Sequence, residues 1–96
     1  MLYLNVWLTV KNADQLDSIR ENLAKLTAGS RREPGCIRFE SYQSEADPLK
    51  FLLCEQWETK EAWEKHRQAE AFTTIYQPLV LPHVEREPHP SKPLVE

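Results

Sequence analysis

The chain has 96 residues, enough for one domain with a modest core. Its apolar fraction of 41% and charged fraction of 28% are those of a globular protein, and a net charge of -3 offers no basic field for nucleic acid or an anionic membrane. No apolar run approaches bilayer-spanning length, and the N-terminal MLYLNVWLTV lacks a basic leader and a small-residue cleavage site, so the expected location is cytoplasmic, with Cys36 and Cys54 reduced.

Residues 2 to 10 alternate, with Leu2, Leu4, Val6, Leu8 and Val10 on one face and Tyr3, Asn5, Trp7 and Thr9 on the other. That period predicts a strand covered on both sides. Asn12 or Asp14 then caps a helix whose stripe is Leu16, Ile19, Leu23 and Leu26. The helix runs to about Thr27, or as far as Arg32, before Pro34-Gly35 stops it. Cys36–Ser44 and Phe51–Trp57 flank Glu45-Ala46-Asp47-Pro48 and read as a hairpin. Pairing Ser44 with Leu49 sets Arg38 opposite Glu55 and Tyr42 opposite Phe51, and it keeps the two cysteines on opposite faces. Thr59 caps a second helix that turns Ala62, Trp63, His66 and Ala69 inward. A third carries Phe72, Ile75, Tyr76 and Leu79 until Pro78 ends or bends it. The tail holds Pro82, Pro88, Pro90 and Pro93, too many for a central strand.

The order strand, helix, strand, strand, helix, helix predicts an α+β, ferredoxin-like split βαβ domain over residues 1–79, with one antiparallel sheet. Residues 80–96 follow as a Pro-rich arm that reaches a partner subunit and forms at most a short edge strand. Helices on one sheet face leave the other uncovered, and a homodimer is the simplest cover, with the aliphatic face of residues 2 to 10 packed on the second copy.

Asn is disfavoured in a strand, and an unpartnered buried amide costs about 1–3 kcal/mol. Asn5 is therefore either satisfied by backbone at a strand edge or part of a site walled by Tyr3 and Trp7. His66, beside Trp63, reads equally as a half-exposed helix residue or as a base with an ordinary pKa near 6.5. Tyr76 lies on an apolar stripe, and its hydroxyl needs a partner wherever the ring packs. His83 and His89 lie in the Pro-rich arm without zinc-site spacing, so no metal is expected. With only Gly29 and Gly35 there is no phosphate loop, so no nucleotide cofactor is expected.

The segment EPGCIRFESYQSEADPLKFLLCEQWETKEAWEKHRQAEAF, residues 33 to 72, carries Glu-Pro-Gly-Cys, an aromatic strand, Asp-Pro before the return strand, Glu-x-Trp-x-Thr-x-Glu-Ala and a helical His. In these motifs the chain resembles the antibiotic biosynthesis monooxygenase family. The resemblance implies a dimeric α+β barrel. The family includes cofactor-independent oxygenases of phenolic polyketides, quinol oxygenases, haem-degrading enzymes and an enzyme of signal-molecule breakdown. In the haem-degrading branch an Asn, a Trp and a His form the site, and their spacing falls on Asn5, His66 and Tyr76, of which only the Asn is retained. The Ser-Pro-His-Phe of many members is replaced here by Ala69-Glu70-Ala71-Phe72.

These readings converge on an expected monooxygenase that uses no cofactor and acts with molecular oxygen on an electron-rich aromatic, such as a quinol or polyphenol. His66 is the expected base, Asn5 the hydrogen-bonding group and Tyr76 the positioning hydroxyl, in a pocket of Tyr3, Trp7, Phe39, Trp63 and Phe72. The alternatives are a dimer that binds a small hydrophobic ligand without turnover, and a haem-binding or haem-degrading protein.

Overall fold

The computed structural model describes residues 1–95. It holds four strands, β1 (Leu2–Val10), β2 (Cys36–Gln43), β3 (Lys50–Trp57) and β4 (Val84–Ser91), with helices α1 (Leu16–Ser30), α2 (Lys60–His66) and α3 (Phe72–Val80). The sheet order is β2-β3-β1-β4 with every neighbouring pair antiparallel, which is the expected α+β ferredoxin-like plan. The helices lie on one face, where α1 packs on α3 and β2. Among the described residues no helix is long and apolar enough to cross a membrane.

The period-2 pattern of β1 decides which face is core. Leu4, Val6, Leu8 and Val10 are buried beneath the helices with Ile19, Leu23 and Leu26 of α1. The aliphatic face of β1 is therefore covered by the chain's own helices and not by a second copy. The outward face holds Tyr3, Asn5, Trp7 and Thr9, and Trp7 is 39% exposed.

Caps form where side-chain chemistry allows. Asn12 accepts from the Asp14 amide and opens a short 3-10 turn (Ala13–Gln15) before α1, and Thr59 accepts from the Ala62 amide to start α2. Helix α3 is wide, of π type, with the Leu81 amide donating to the Tyr76 carbonyl five residues back. Pro78 sits inside it, and the missing donor and bulky ring of proline disfavour an ordinary α ladder at that point.

Two elements differ from expectation. The hairpin register is shifted by one, with Arg38 opposite Gln56, Phe39 opposite Glu55 and Tyr42 opposite Leu52. The turn is the cause. Asp47 Oδ1 accepts from the Leu49 amide and the Asp47 carbonyl accepts from Lys50, so Leu49 is spent inside the turn and Ser44 bonds Lys50 instead. A one-residue slip changes which residues share a face. Glu55 points to the core in step with Phe51, Leu53 and Trp57, and the slip brings Phe39 opposite it on that face, while Arg38 and Tyr42 both donate to Glu40 on the outer face at 2.7 and 2.8 Å.

The second difference is the arm. Residues 84–91 form a full-length edge strand on β1, within the same sheet as the rest of the chain, and not a separate segment with at most a short strand. Val10 N donates to β3 at Leu49 and Lys11 N donates toward β4 at His83. Odd-numbered β1 residues thus turn their backbone toward β4, and the residues opposite the even positions turn theirs outward. Pro88 and Pro90 face Val6 and Leu4, so their nitrogens point at the open edge, where a donor is not needed. The prolines allow the strand and also blunt its edge against further pairing.

Candidate active site

A cavity of about 220 Å³ opens between the sheet and the helices. Its floor is Leu4, Leu53 and Glu55, and its walls include Phe39, Trp63, Phe72 and Tyr76. His66 closes one side, and Arg67 and Arg86 stand at its rim.

Glu55 is placed by β3, in phase with Phe51, Leu53 and Trp57, and is 7% exposed. Its Oε1 accepts a 3.0 Å hydrogen bond from Trp57 Nε1. Burial pushes the carboxyl up to about 7, against the lowering pull of that bond and of the Arg86 charge. A carboxyl poised there can take or return a proton at neutral pH.

His66 is 4% exposed and sits among Trp57, Phe39 and Phe72, with ring centroids 4.6, 5.7 and 5.5 Å away. Its Nδ1 lies 2.7 Å from Glu33 Oε1. A carboxylate only accepts, so Nδ1 carries the proton and Nε2 is left unprotonated in the neutral ring. Burial holds the imidazole below its usual value although Glu33 pulls the other way. The sequence builds this contact through Gly35. Its φ of 82° is in the left-handed region, and a Cβ there would lie 2.5 Å from Ala62 Cβ. Only glycine lets the α1–β2 loop press onto α2, and that contact brings Glu33 under His66.

Tyr76, from the wide turn of α3, is buried, and Arg86 Nε of β4 donates to its hydroxyl at 3.3 Å. Burial raises the phenol pKa, opposed by the guanidinium. Arg67 lies over the Trp63 ring at 5.1 Å.

The structure thus brings together five of the eight expected site residues: His66, Tyr76, Phe39, Trp63 and Phe72. Asn5, Tyr3 and Trp7 lie across the sheet from them. Asn5 Nδ2 donates to Ser91 Oγ at 3.1 Å, and Gln56 Nε2 donates to the Tyr3 hydroxyl at 3.4 Å. No side chain of this outer group lines the cavity. Glu55, Arg86, Arg67 and Glu33 are the cavity and support residues that sequence reasoning missed. The signal for Glu55 was available, since an acid in step with Phe51, Leu53 and Trp57 is as anomalous as Asn5. Arg86 lay hidden in a segment read as an arm. Among the described residues no cluster of three or more His, Cys, Asp or Glu is arranged to hold a metal, and Cys36 and Cys54 are free thiols.

Comparison with known proteins places this geometry. The profile of the antibiotic biosynthesis monooxygenase family matches residues 1–77. The uncharacterized protein YjcS of Bacillus subtilis is 33% identical over 66 residues, which is 69% of this chain and 63% of YjcS, so the match spans less than two thirds of that relative. A crystal structure from Bacteroides thetaiotaomicron, of unknown function and described as a possible oxidoreductase, superposes with a TM-score of 0.86 at 26% identity over 94% of each chain. The crystal structure of an antibiotic biosynthesis monooxygenase superposes with a TM-score of 0.89 at 22% identity, covering 98% of this chain and 99% of that one.

Proposed function

This chain belongs to the antibiotic biosynthesis monooxygenase family, and from that premise we propose that it oxygenates an electron-rich aromatic such as a quinol or polyphenol in the cavity between sheet and helices. Family membership supports a monooxygenase-like activity in general. The observation that carries the finer reading is a buried carboxyl, Glu55, set into an aromatic-walled cavity of about 220 Å³ without an ion-pair partner among the described residues.

A phenol holds its proton near pKa 10, and only the phenolate readily passes an electron to oxygen. Glu55 takes that proton, a role the sequence suggested for His66. The reassignment follows from the setting of the two groups: Glu55 lies on the cavity floor without an ion-pair partner among the described residues, whereas His66 is packed among three aromatic rings and already spends its Nδ1 proton on Glu33. The Tyr76 hydroxyl, which accepts from Arg86 Nε, donates its own proton to the phenolate oxygen and so stabilises it. The apolar walls keep the anion dry, which strengthens that hydrogen bond. In the overall reaction one oxygen atom enters the ring as a hydroxyl and the other leaves as water, while the quinol is oxidised to the quinone and supplies the second electron pair; the product is a hydroxyquinone and no separate reductant is required.

Oxygen uptake with a panel of single-ring quinols tests this, with oxidised product identified by mass spectrometry. One oxygen molecule consumed per quinol, abolished by Glu55→Gln, is the expected result. Binding without product would leave a ligand-binding protein instead. Haem is less well accommodated. Tyr76, at the position of the branch's ligand His, is hydrogen-bonded to Arg86 and has its pKa raised, so the phenolate an iron would need is disfavoured.

We also propose that the outer sheet face is covered by a second copy of the chain. Trp7 at 39% and Tyr42 at 50% exposure support it. Sedimentation equilibrium at micromolar concentration that returns only a species of about 11 kDa would overturn this.

A further inference from the structure

The rim of the cavity carries two positive charges that the catalytic reading does not use fully. Arg67 follows the end of α2, and Arg86 reaches in from β4, both with exposed side chains. Neither forms an ion pair within the described residues. Arg86 spends only its Nε on Tyr76, and Arg67 rests its guanidinium plane near Trp63. The terminal amines of both remain available, and guanidinium groups match carboxylates in geometry and charge. Among the described residues, Glu55 is the one acid that lines the cavity.

Size sets a second limit. An apolar cavity of about 150 Å³ holds benzene. About 220 Å³ therefore admits one substituted ring and excludes a fused polycycle unless part of it lies outside.

We propose that Arg67 and Arg86 form an anion subsite, and that the substrate is a single-ring quinol bearing a carboxylate. This rests on the cavity being the substrate site, and it specifies which aromatics that site selects. An ionised carboxylate at the rim places its charge where two unpaired guanidiniums stand and leaves the phenolic edge inside, toward Glu55. A neutral quinol fills the same volume but leaves both cations without a partner.

The test compares para-hydroxybenzoate with para-hydroxybenzamide, which share ring and shape and differ in charge. Binding to the full chain is measured by calorimetry without oxygen, so turnover plays no part. The acid is expected to bind at least about tenfold more tightly than the amide, with an advantage that shrinks as salt is added. Arg67→Gln and Arg86→Gln should each remove most of that advantage, and Arg86→Lys should restore part of it. Arg67 is a surface side chain, so its variant reads the subsite without threatening the fold. Equal affinity for acid and amide, variants that weaken both ligands alike, or no binding of either, overturn the proposal. Anion preference without oxygen consumption would sink the monooxygenase reading and keep the subsite. Turnover of neutral quinols without anion preference would do the reverse.

Discussion

Asn5 and Glu55 interrupt apolar runs of central strands on opposite faces of the sheet, and the structure treats them differently. On the outer face Asn5 stands between Tyr3 and Trp7, half-buried, and it donates to Ser91 on the neighbouring edge strand. Its amide is satisfied at little cost. On the inner face Glu55 stands between Leu53 and Trp57, and a single indole bond does not offset its burial, so its pKa climbs to about 7. A polar side chain that remains poorly compensated in a core is retained against stability, which is the better marker of chemistry.

Side-chain truncation gives the largest expected contrast. Leu8→Ala, at a fully buried inner position, should cost about 2–5 kcal/mol in urea unfolding. Trp7→Ala, the adjacent outer residue, should cost the single chain less than about 1 kcal/mol while weakening self-association in sedimentation. If Trp7→Ala unfolds the chain as readily as Leu8→Ala, the faces are not distinct in the way described.

Glu55→Gln should follow in size. The carboxyl is raised from an ordinary 4.5 to about 7, so the stability Glu55 contributes is fully present below 4.5 and is lost as pH rises through 7. The whole interval amounts to about 3 kcal/mol. The Gln variant, which keeps an oxygen for Trp57, should be more stable than the parent by about that amount at pH 8 and no more stable at pH 4. Its quinol turnover should drop at least about a hundredfold. Unfolding curves that coincide at pH 8 would remove Glu55 from the role assigned to it.

His66 should act with the opposite slope and a smaller amplitude. Its native pKa is lowered, so below the ordinary value near 6.5 the unfolded chain takes up a proton that the folded one resists. Stability should fall as pH drops through that range, and His66→Gln should flatten the fall. The measurement belongs in a Glu55→Gln background, where the carboxyl does not mask it. The smallest effect is expected for Asn5→Ala, which loses one exposed neutral hydrogen bond, under about 1 kcal/mol. It should leave para-hydroxybenzoate binding in the cavity unchanged. A loss of binding would mean that the two faces communicate.

Much of the fold was legible in the chain because period and punctuation are local signals. The alternation of residues 2 to 10, the Asn12 and Thr59 caps, the Glu33-Pro34-Gly35 stop and the Asp47-Pro48 turn all mark features that the structure contains. His66, Tyr76, Phe39, Trp63 and Phe72 could be grouped from residue type and motif, and they line one cavity. Which side of a strand meets the helices is not a local signal. Tyr3, Asn5 and Trp7 share one face in any register, but only packing shows that α1 and α3 cover the other one. The neighbour of Glu55 on β2 turned on whether Leu49 pairs across the hairpin or is held in the turn by Asp47, a choice of one residue that sets Phe39 and not Arg38 opposite the acid. For β4, proline content argued against a strand, and only the presence of β1 beside it shows that Pro88 and Pro90 point away from the ladder. The sequence by itself determined the elements from β1 to α3, their order and the family, since those depend on side chains close in the chain. Tertiary structure alone decided the face, the register and the convergence of Glu55, Tyr76 and Arg86, because each is set by contacts between segments far apart in sequence.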